Sequence, residues 1–113
     1  MVNPEKTFTS KLGTTRAGTR TRIWLEGNRL LDHEFTHGAK VQRMWGDGRL
    51  TLRLVTDDYA WQELPREERT TVAGSAARPI IDIATVKVAE TFRGERVNVT
   101  YRQGRITITE QEG

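Results

Sequence analysis

The chain has 113 residues, of which 35% are hydrophobic and 29% charged, which suits one compact domain or two closely merged repeats. It has no cysteine, which excludes disulfides, thiolate zinc sites and cysteine nucleophiles. No apolar run approaches the roughly 20 residues of a membrane-spanning helix, and the first residues lack the apolar segment of a signal peptide, so we expect a cytoplasmic protein with no membrane partner.

The net charge of +3 is unevenly distributed along the chain. Residues 1–56 contain ten Lys and Arg against five Asp and Glu, whereas residues 57–113 contain eight against ten. The first half therefore carries +5 and the second half −2. A positive half favours a polyanionic partner, with nucleic acid as the first candidate, although ordinary solubilising surface gives the same balance.

The first half predicts short strands and one brief helix. Residues 6–22 are rich in Thr, Gly, Lys and Arg, which favours a strand with a flexible, basic approach. Residues 22–27 predict a strand that ends in a turn, and residues 28–37 predict one or two helical turns before Gly38. Residues 41–54 predict a hairpin, because apolar and polar residues alternate after a GDG turn.

The second half begins with a short helix and a polar segment. Residues 57–64 predict a helix with an aspartate cap, and residues 65–78 have the charged, Gly, Ser and Ala content of a linker. Residues 79–83 predict a strand, whereas residues 84–92 are ambiguous. Residues 96–109 predict a second, strongly alternating hairpin.

The two hairpins align without a gap, with VQRMWGDGRLTL matching VNVTYRQGRITI. Val41 then corresponds to Val97, and Gly48 corresponds to Gly104. Upstream, the segment from Ile23 to a phenylalanine has the same length as the segment that begins at Ile80. Each copy reads as strand, short helical turn, glycine and hairpin, and a duplication explains this spacing better than convergence of two ordinary hairpins.

A unit of about 35 residues cannot cover its own apolar face, whereas two packed copies can close a small barrel and remove its open edges. We therefore expect an all-β fold with short helical turns, a pseudo-two-fold β-barrel built from two internal repeats. The first repeat is placed at 1–56, a short helix and linker at 57–77, and the second repeat at 78–113. The predicted shared core is Ile23, Leu25, Leu50, Leu52, Ile81, Ile83, Ile106 and Ile108.

One pattern of apolar and glycine residues runs through residues 19–54: I-x-L-x-G-x-x-L-x-x-x-x-F-x-x-G-x-x-V, then a glycine turn and an apolar strand. It is formed by Ile23, Leu25, Gly27, Leu30, Phe35, Gly38, Val41, Gly48 and Leu52. In this pattern the first copy resembles the SymE-like branch of the AbrB/SpoVT swapped-hairpin proteins. The second copy, over residues 78–109, fits more loosely and lacks the glycine that matches Gly27. Its matching residues are Ile81, Ile83, Phe92, Gly94, Val97, Gly104 and Ile108.

The resemblance implies a fold and a class of function. Two such units interlace as a dimeric barrel in AbrB-like proteins, so one chain here is expected to supply both halves of a swapped-hairpin-like barrel, as a monomeric pseudo-dimer or as a homodimer. Family members are mostly DNA-binding transcription regulators and antitoxins, and SymE-like members are described as toxins acting on nucleic acid. The resemblance thus implies a nucleic-acid-binding regulatory protein, with duplex DNA as the expected partner. A toxin acting on nucleic acid and a protein-binding accessory module are the alternatives.

The resemblance also suggests where nucleic acid binds, because AbrB-like proteins present the amino-terminal strand and turn to DNA. The residues expected to contact nucleic acid are Lys11, Arg16, Arg20, Arg22, Arg29, Arg78 and Lys87. Arg20 and Arg22 are two positions apart and so share one face of a strand, and nearby threonines add hydroxyl groups for phosphate oxygens. Arg78 is the symmetry-related contribution from the second copy, followed in the chain by Lys87.

Residues 33–37 read HEFTH, which matches the H-E-x-x-H zinc motif. On a helix, His33 and His37 would lie one turn apart and hold zinc, with Glu34 as general base. However, Gly38 follows at once, and the chain has only these two histidines, so a third ligand would have to be a carboxylate. We therefore expect no enzymatic activity, no metal and no cofactor, with a small zinc hydrolase as the minor alternative.

Overall fold

The computed structural model describes residues 5–14, 18 and 20–111. The strands are β1 (Lys6–Lys11), β2 (Gly13–Thr14), β3 (Thr21–Glu26), β4 (Lys40–Gly46), β5 (Arg49–Leu54), β6 (Arg69–Thr71), β7 (Ala73–Gly74), β8 (Pro79–Ile83), β9 (Arg96–Arg102) and β10 (Arg105–Glu110). The helices are α1 (Asn28–Asp32), α2 (Asp58–Glu63) and α3 (Val86–Thr91), with a 3₁₀ turn at Arg66–Glu68. The predicted β-rich fold with short helical turns is confirmed.

The local sequence explains where these elements begin and end. Buried and non-buried residues alternate along β9 and β10, as expected of strands with one face on a core. Both hairpins turn at a glycine with positive φ, 60° at Gly48 and 70° at Gly104. Asp57 caps α2, because its side chain accepts a hydrogen bond from the Tyr59 amide at 3.1 Å. Both predicted hairpins and the predicted helix at 57–64 are confirmed.

The strands form two antiparallel sheets that share one core. The six-stranded sheet has the order β1-β9-β10-β5-β4-β6, and the four-stranded sheet has the order β2-β3-β8-β7. All eight predicted core residues belong to the shared core, and each is at most 4% exposed. Residues of the helices and loops add to it: Leu30, Phe35, Val72, Val88 and Phe92. Further core residues come from β4 and β9: Val41, Val97, Val99 and Tyr101.

The six-stranded sheet has an internal symmetry. If each residue of one copy is replaced by its counterpart in the other copy, the pairs of residues that lie opposite each other stay the same. Leu52 lies opposite Ile106, and Leu50 lies opposite Ile108. The hairpin alignment equates Leu50 with Ile106 and Leu52 with Ile108, so the exchange converts one pair into the other. The centre of this β5–β10 ladder is therefore a pseudo-two-fold position.

The four-stranded sheet has the same property, and it corrects one detail of the sequence alignment. Ile23 lies opposite Ile83, and Leu25 lies opposite Ile81. These two pairs are interchanged only if Ile23 corresponds to Ile81 and Leu25 corresponds to Ile83. The sequence alignment of Ile23 with Ile80 is therefore wrong by one position. A one-residue shift turns a strand over, and Ile81 is fully buried whereas Ile80 is only partly buried.

Each copy also contains two short strands that the sequence comparison does not reveal. β1 pairs with β9 and β6 pairs with β4, while β2 and β7 pair with β3 and β8. After β1, the Leu12 amide donates to the Glu95 carbonyl at 2.8 Å; after β6, the Val72 amide donates to the Ala39 carbonyl at 2.9 Å. The two segments occupy equivalent places, and each copy lends its first strand to the hairpin of the other copy.

This arrangement changes the predicted boundaries between the repeats. Residues 57–77, predicted as a short helix and a linker, contain β6 and β7 as well as α2. The sequence of residues 65–78 looks like a linker because it is mostly polar or small. Its buried side chain, Val72, is 1% exposed and lies between the two strands. Residues 69–71 and 73–74 are thus paired strands and not unpaired linker.

The two sheets are separated along both edges of the six-stranded sheet, and we call these two boundaries the seams. The chain crosses from one sheet to the other between β1 and β2 and again between β6 and β7, and β1 and β6 are the edges of the six-stranded sheet. Within the described part of the chain, no strand pairing joins the two sheets. The predicted β-barrel is thus shown only as two antiparallel sheets around a common core, without closure.

Candidate nucleic-acid interface

The structure disperses the residues that were predicted to contact nucleic acid. Arg16 lies outside the described residues. Arg20, Arg22 and Arg78 border the outer face of the four-stranded sheet, where Arg20 donates to the Ala84 carbonyl at 3.4 Å. This group therefore stays together, but it is only part of the predicted site.

The other three predicted residues lie in three different places. Lys11 projects from the outer face of the six-stranded sheet, opposite Arg96. Arg29 on α1 and Lys87 on α3 line two separate hollows, one at each seam between the sheets. The six described residues of this set therefore do not form one contiguous surface.

Acidic partners neutralise much of the Arg20–Arg22–Arg78 surface. Arg22 donates to both carboxylate oxygens of Asp82, at 3.1 and 2.6 Å, and its guanidinium lies 4.5 Å from the centre of the Trp24 ring. The hydrogen bond to Asp82 raises the pKa of Arg22 above its ordinary value. Arg78 pairs with Glu26 at 3.7 Å. These ion pairs leave little net charge for a polyanion.

The outer side of the six-stranded sheet presents a more basic surface, which we call the basic face. It consists of the outward-facing side chains of β1, β9, β10, β5, β4 and β6. Its cationic residues are Lys11, Lys40, Arg49, Arg53, Arg69, Arg96, Arg102 and Arg105. Among the described residues, no acidic side chain projects from the outer face of these strands.

Three arginines form a row across adjacent strands, the arginine row. Arg102 lies opposite Arg105, and Arg105 lies opposite Arg53. Neighbouring strands are about 4.8 Å apart, so the three side chains are adjacent, and like charges directly opposite each other destabilise a sheet. At the ends of the row, Arg53 donates to the Gln42 side-chain oxygen at 2.7 Å, and Arg102 pairs with Glu5 at 3.1 Å. An anionic ligand on this row relieves the repulsion.

A row of threonines runs beside the arginines. Thr7, Thr100, Thr107 and Thr51 lie opposite one another in succession on β1, β9, β10 and β5. The hydroxyl oxygens of Thr7 and Thr100 are 3.0 Å apart. In protein–DNA complexes, arginine and threonine side chains are among those that contact phosphate oxygens.

Acidic groups reach the basic face only at its margin. Lys40 binds Asp58 at 2.8 Å, and this hydrogen bond holds the pKa of Asp58 below its ordinary value. The Gln42 amide donates to Glu68 at 3.0 Å. No aromatic ring projects from the described outer face of the six strands. At the margin of the face, the Trp61 ring of α2 lies 6.0 Å from the Lys40 ammonium and 5.7 Å from the Arg69 guanidinium.

The sequence contained a signal for this face that the site prediction did not use. In residues 49–53, 96–102 and 105–109, every second position is Arg, Thr or Asn. The apolar residues of these segments predict the core. The polar residues between them face the other way and make that side of the strands cationic and rich in hydroxyl groups. Register across the strands, which a single sequence does not give, is what assembles the arginine row.

The HEFTH segment does not form the helix that a zinc site requires. α1 ends at Asp32, and Glu34 has a left-handed φ of 73°. His33 is buried with its Nδ1 atom 2.8 Å from the Arg29 carbonyl oxygen, whereas His37 is exposed. The two imidazoles therefore do not share a helical face, and His33 is a residue of the core.

Within the described ranges, no group of three or more His, Cys, Asp or Glu side chains is arranged to hold a metal ion. The helices of these ranges are also too short and too polar to cross a membrane. Comparisons of the chain with protein-family models, with curated proteins and with solved structures find no match.

Proposed function

We propose that this protein binds nucleic acid and that the basic face holds the phosphate backbone of a duplex. The arginine row supports this proposal most directly, because three cations directly opposite one another cost stability in the free protein and gain a favourable partner in a polyanion. The adjacent threonine row supplies hydroxyl groups to the same backbone.

The shape and composition of the face favour a duplex over a single strand. Proteins that bind single strands combine a basic groove with aromatic rings for the bases. The described strands of the basic face project no aromatic ring, and Trp61 of α2 reaches the face only at its margin, beside Lys40 and Arg69. Contacts limited to phosphates give strong salt dependence and little sequence preference. DNA as the duplex, and a regulatory role, follow from the AbrB-like resemblance.

The same resemblance motivates a swapped-hairpin relationship between the copies. Two observations support it: the registers of both sheets are unchanged on exchange of the copies, and β1 and β6 each pair with the hairpin of the other copy. In this proposal one chain supplies both of the halves that two chains supply in a dimeric AbrB-like protein.

A salt titration of duplex binding tests the proposed function. Fluorescence anisotropy of a labelled DNA duplex is measured between about 50 and 200 mM salt, where phosphate contacts dominate the change in affinity. We expect Arg102→Ala/Arg105→Ala to lower the slope of log affinity against log salt by about two units, roughly one per lost contact. Two control pairs remove the same charge outside the six strands of the basic face and are expected to change the slope little. They are Arg20→Ala/Arg22→Ala, around the start of β3, and Arg66→Ala/Arg93→Ala, in the 3₁₀ turn and in the loop between α3 and β9.

The control pairs decide how the result is interpreted. Equal weakening by all three pairs means diffuse charge attraction and contradicts the proposed interface. Absence of duplex binding by the wild-type chain at low salt rejects the function and favours a protein-binding module.

A further inference from the structure

A hollow of about 200 Å³ lies at the seam between β1 and β3. Its wall combines aromatic rings with groups that form hydrogen bonds: Phe8, Ser10, Trp24, Glu26, Arg29 and Tyr101. It is smaller than the roughly 300–1,000 Å³ of sites for drug-sized ligands, so one ring system is a suitable occupant.

Arg29 is held in place within this hollow. Its guanidinium lies 3.5 Å from the centre of the Phe8 ring. Burial raises the pKa of Tyr101, and the nearby positive charge of Arg29 acts in the opposite direction. An arginine that is already stacked on an aromatic ring loses little conformational freedom when a ligand binds.

Trp24 provides a stacking surface at the mouth of the hollow. The residue is 42% exposed, which is unusual for an indole in so small a domain. Arg22 lies 4.5 Å from the ring centre and is itself held by the two oxygens of Asp82, so the indole is supported from one side. A planar ring that enters the hollow can stack on this indole.

The internal repeat provides a comparison for this site. The corresponding hollow of the second copy, of about 350 Å³, lies between β4, the 3₁₀ turn and α3. It is lined by Arg43, Met44, Trp45, Glu67, Glu68 and Lys87. In the alignment of the copies, Lys87 replaces Arg29, Glu68 replaces Phe8 and Asp82 replaces Trp24. The second hollow contains a guanidinium and an indole, those of Arg43 and Trp45, but both belong to β4. It has no counterpart of the Arg29 guanidinium over the Phe8 ring or of the exposed Trp24 indole, so that arrangement is specific to the first copy.

We infer that the first hollow binds a single unpaired guanine base. Guanine offers two adjacent acceptors, O6 and N7, which match the forked donors of Arg29. It also offers two adjacent donors on its pairing edge, N1–H and the N2 amino group, which match the two oxygens of Glu26. The exposed ion pair between Glu26 and Arg78, at 3.7 Å, is longer than a hydrogen bond and leaves both carboxylate oxygens able to accept. No other standard base has both edges, and the bicyclic ring covers the Trp24 indole better than a pyrimidine does.

This inference deepens the proposed function and rests on it for its biological meaning. β1 presents Thr7, Thr9 and Lys11 to the basic face and Phe8 and Ser10 to the hollow. A nucleic-acid strand that leaves the basic face at this edge therefore reaches the hollow directly. The expected ligand is a duplex with an unpaired guanine at its end or in a bulge.

The test uses the four ribonucleosides, because they carry no phosphate and are not attracted to the basic face. Tryptophan fluorescence of the full chain is titrated with guanosine, adenosine, cytidine and uridine. We expect saturable quenching by guanosine, with at least about tenfold weaker binding of the other three nucleosides, as one bidentate contact commonly gives. Trp24→Phe removes this signal, whereas Trp45 and Trp61 still report an intact fold.

Three variants locate the site. Arg29→Lys keeps the charge but removes the fork, and we expect about tenfold weaker guanosine binding with unchanged far-ultraviolet circular dichroism. Lys87→Ala, at the equivalent position of the second copy, and Arg102→Ala/Arg105→Ala, on the basic face, leave guanosine binding unchanged.

The outcomes separate this inference from the proposed function. No saturable guanosine quenching, or equal affinity for all four nucleosides, overturns the guanine site even if duplex binding is observed. Guanosine binding that is lost in Arg29→Lys supports the site even if the wild-type chain does not bind a duplex. An equal loss in Lys87→Ala overturns the assignment to the first hollow.

Discussion

Thr51 of β5 lies directly opposite Thr107 of β10, and these two residues occupy equivalent positions in the two copies. Trp24 and Asp82 stand in the same relationship at the centre of the β3–β8 ladder. Each sheet therefore has a pseudo-two-fold centre, and each copy contributes to both sheets. Neither half of the chain possesses a complete sheet of its own.

The first prediction follows from this sharing. A fragment of residues 1–56 keeps the β4–β5 and β2–β3 pairs but loses β9, β8, β10 and β6 as partners. We expect it to be unfolded or to dimerise, because its apolar face has nothing to cover it. Circular dichroism and sedimentation equilibrium distinguish these states, with the fragment 57–113 added in equal amount as a rescue. A folded monomer of residues 1–56 contradicts the shared core.

The core was more predictable from sequence than the site, for a physical reason. Alternation along each strand shows which residues face inward, and it identified residues such as Leu50 and Ile106 without knowledge of strand order. Strand order and register decide which outward residues become neighbours. Arg53, Arg102 and Arg105 are far apart in sequence and meet only through pairing. From sequence alone the amino-terminal basic segment is therefore the natural prediction, although Asp82 partly neutralises it by pairing with Arg22.

The second prediction concerns the two histidines. His33→Ala removes a ring that is 1% exposed and the bond between its Nδ1 atom and the Arg29 carbonyl, so we expect the free energy of unfolding to fall by about 1–3 kcal/mol. His37→Ala changes an exposed residue, and its effect should stay within about 0.5 kcal/mol. Urea unfolding measures both variants. Elemental analysis of chelator-free protein should find no stoichiometric zinc; one zinc per chain, lost in His33→Ala, contradicts this interpretation.

The third prediction is a loss of stability at alkaline pH that Tyr101 controls. Burial raises the pKa of Tyr101 above its ordinary value of 10.0, so the unfolded chain releases this proton at a lower pH than the folded chain does. The stabilising contribution is fully present below about pH 10 and is lost as the pH rises through the folded-state pKa. Urea unfolding between pH 8 and the alkaline limit of the protein should show this loss in the wild type, and Tyr101→Phe should reduce it. Tyr59→Phe is the control, because Tyr59 is 71% exposed, and an identical effect of both variants contradicts the assignment.

The last prediction is that one substitution in the arginine row stabilises the protein and weakens nucleic-acid binding. Arg105 lies between Arg53 and Arg102, so Arg105→Thr removes two like-charge contacts and introduces a residue that favours strands. We expect the free energy of unfolding to rise by about 0.2–1 kcal/mol at low salt, with a smaller gain at high salt where the repulsion is screened.

Arg49→Thr is the matched control for this substitution, because Arg49 is the equivalent residue of the first copy and lies opposite Thr109. It removes the same charge from the same face without relieving a like-charge pair. Both variants should therefore weaken duplex binding, whereas only Arg105→Thr should gain stability in urea unfolding. A gain of the same size in both variants attributes the effect to threonine itself, and a loss in Arg105→Thr shows that the row is stabilised within the free protein, which removes the main support for a polyanionic partner.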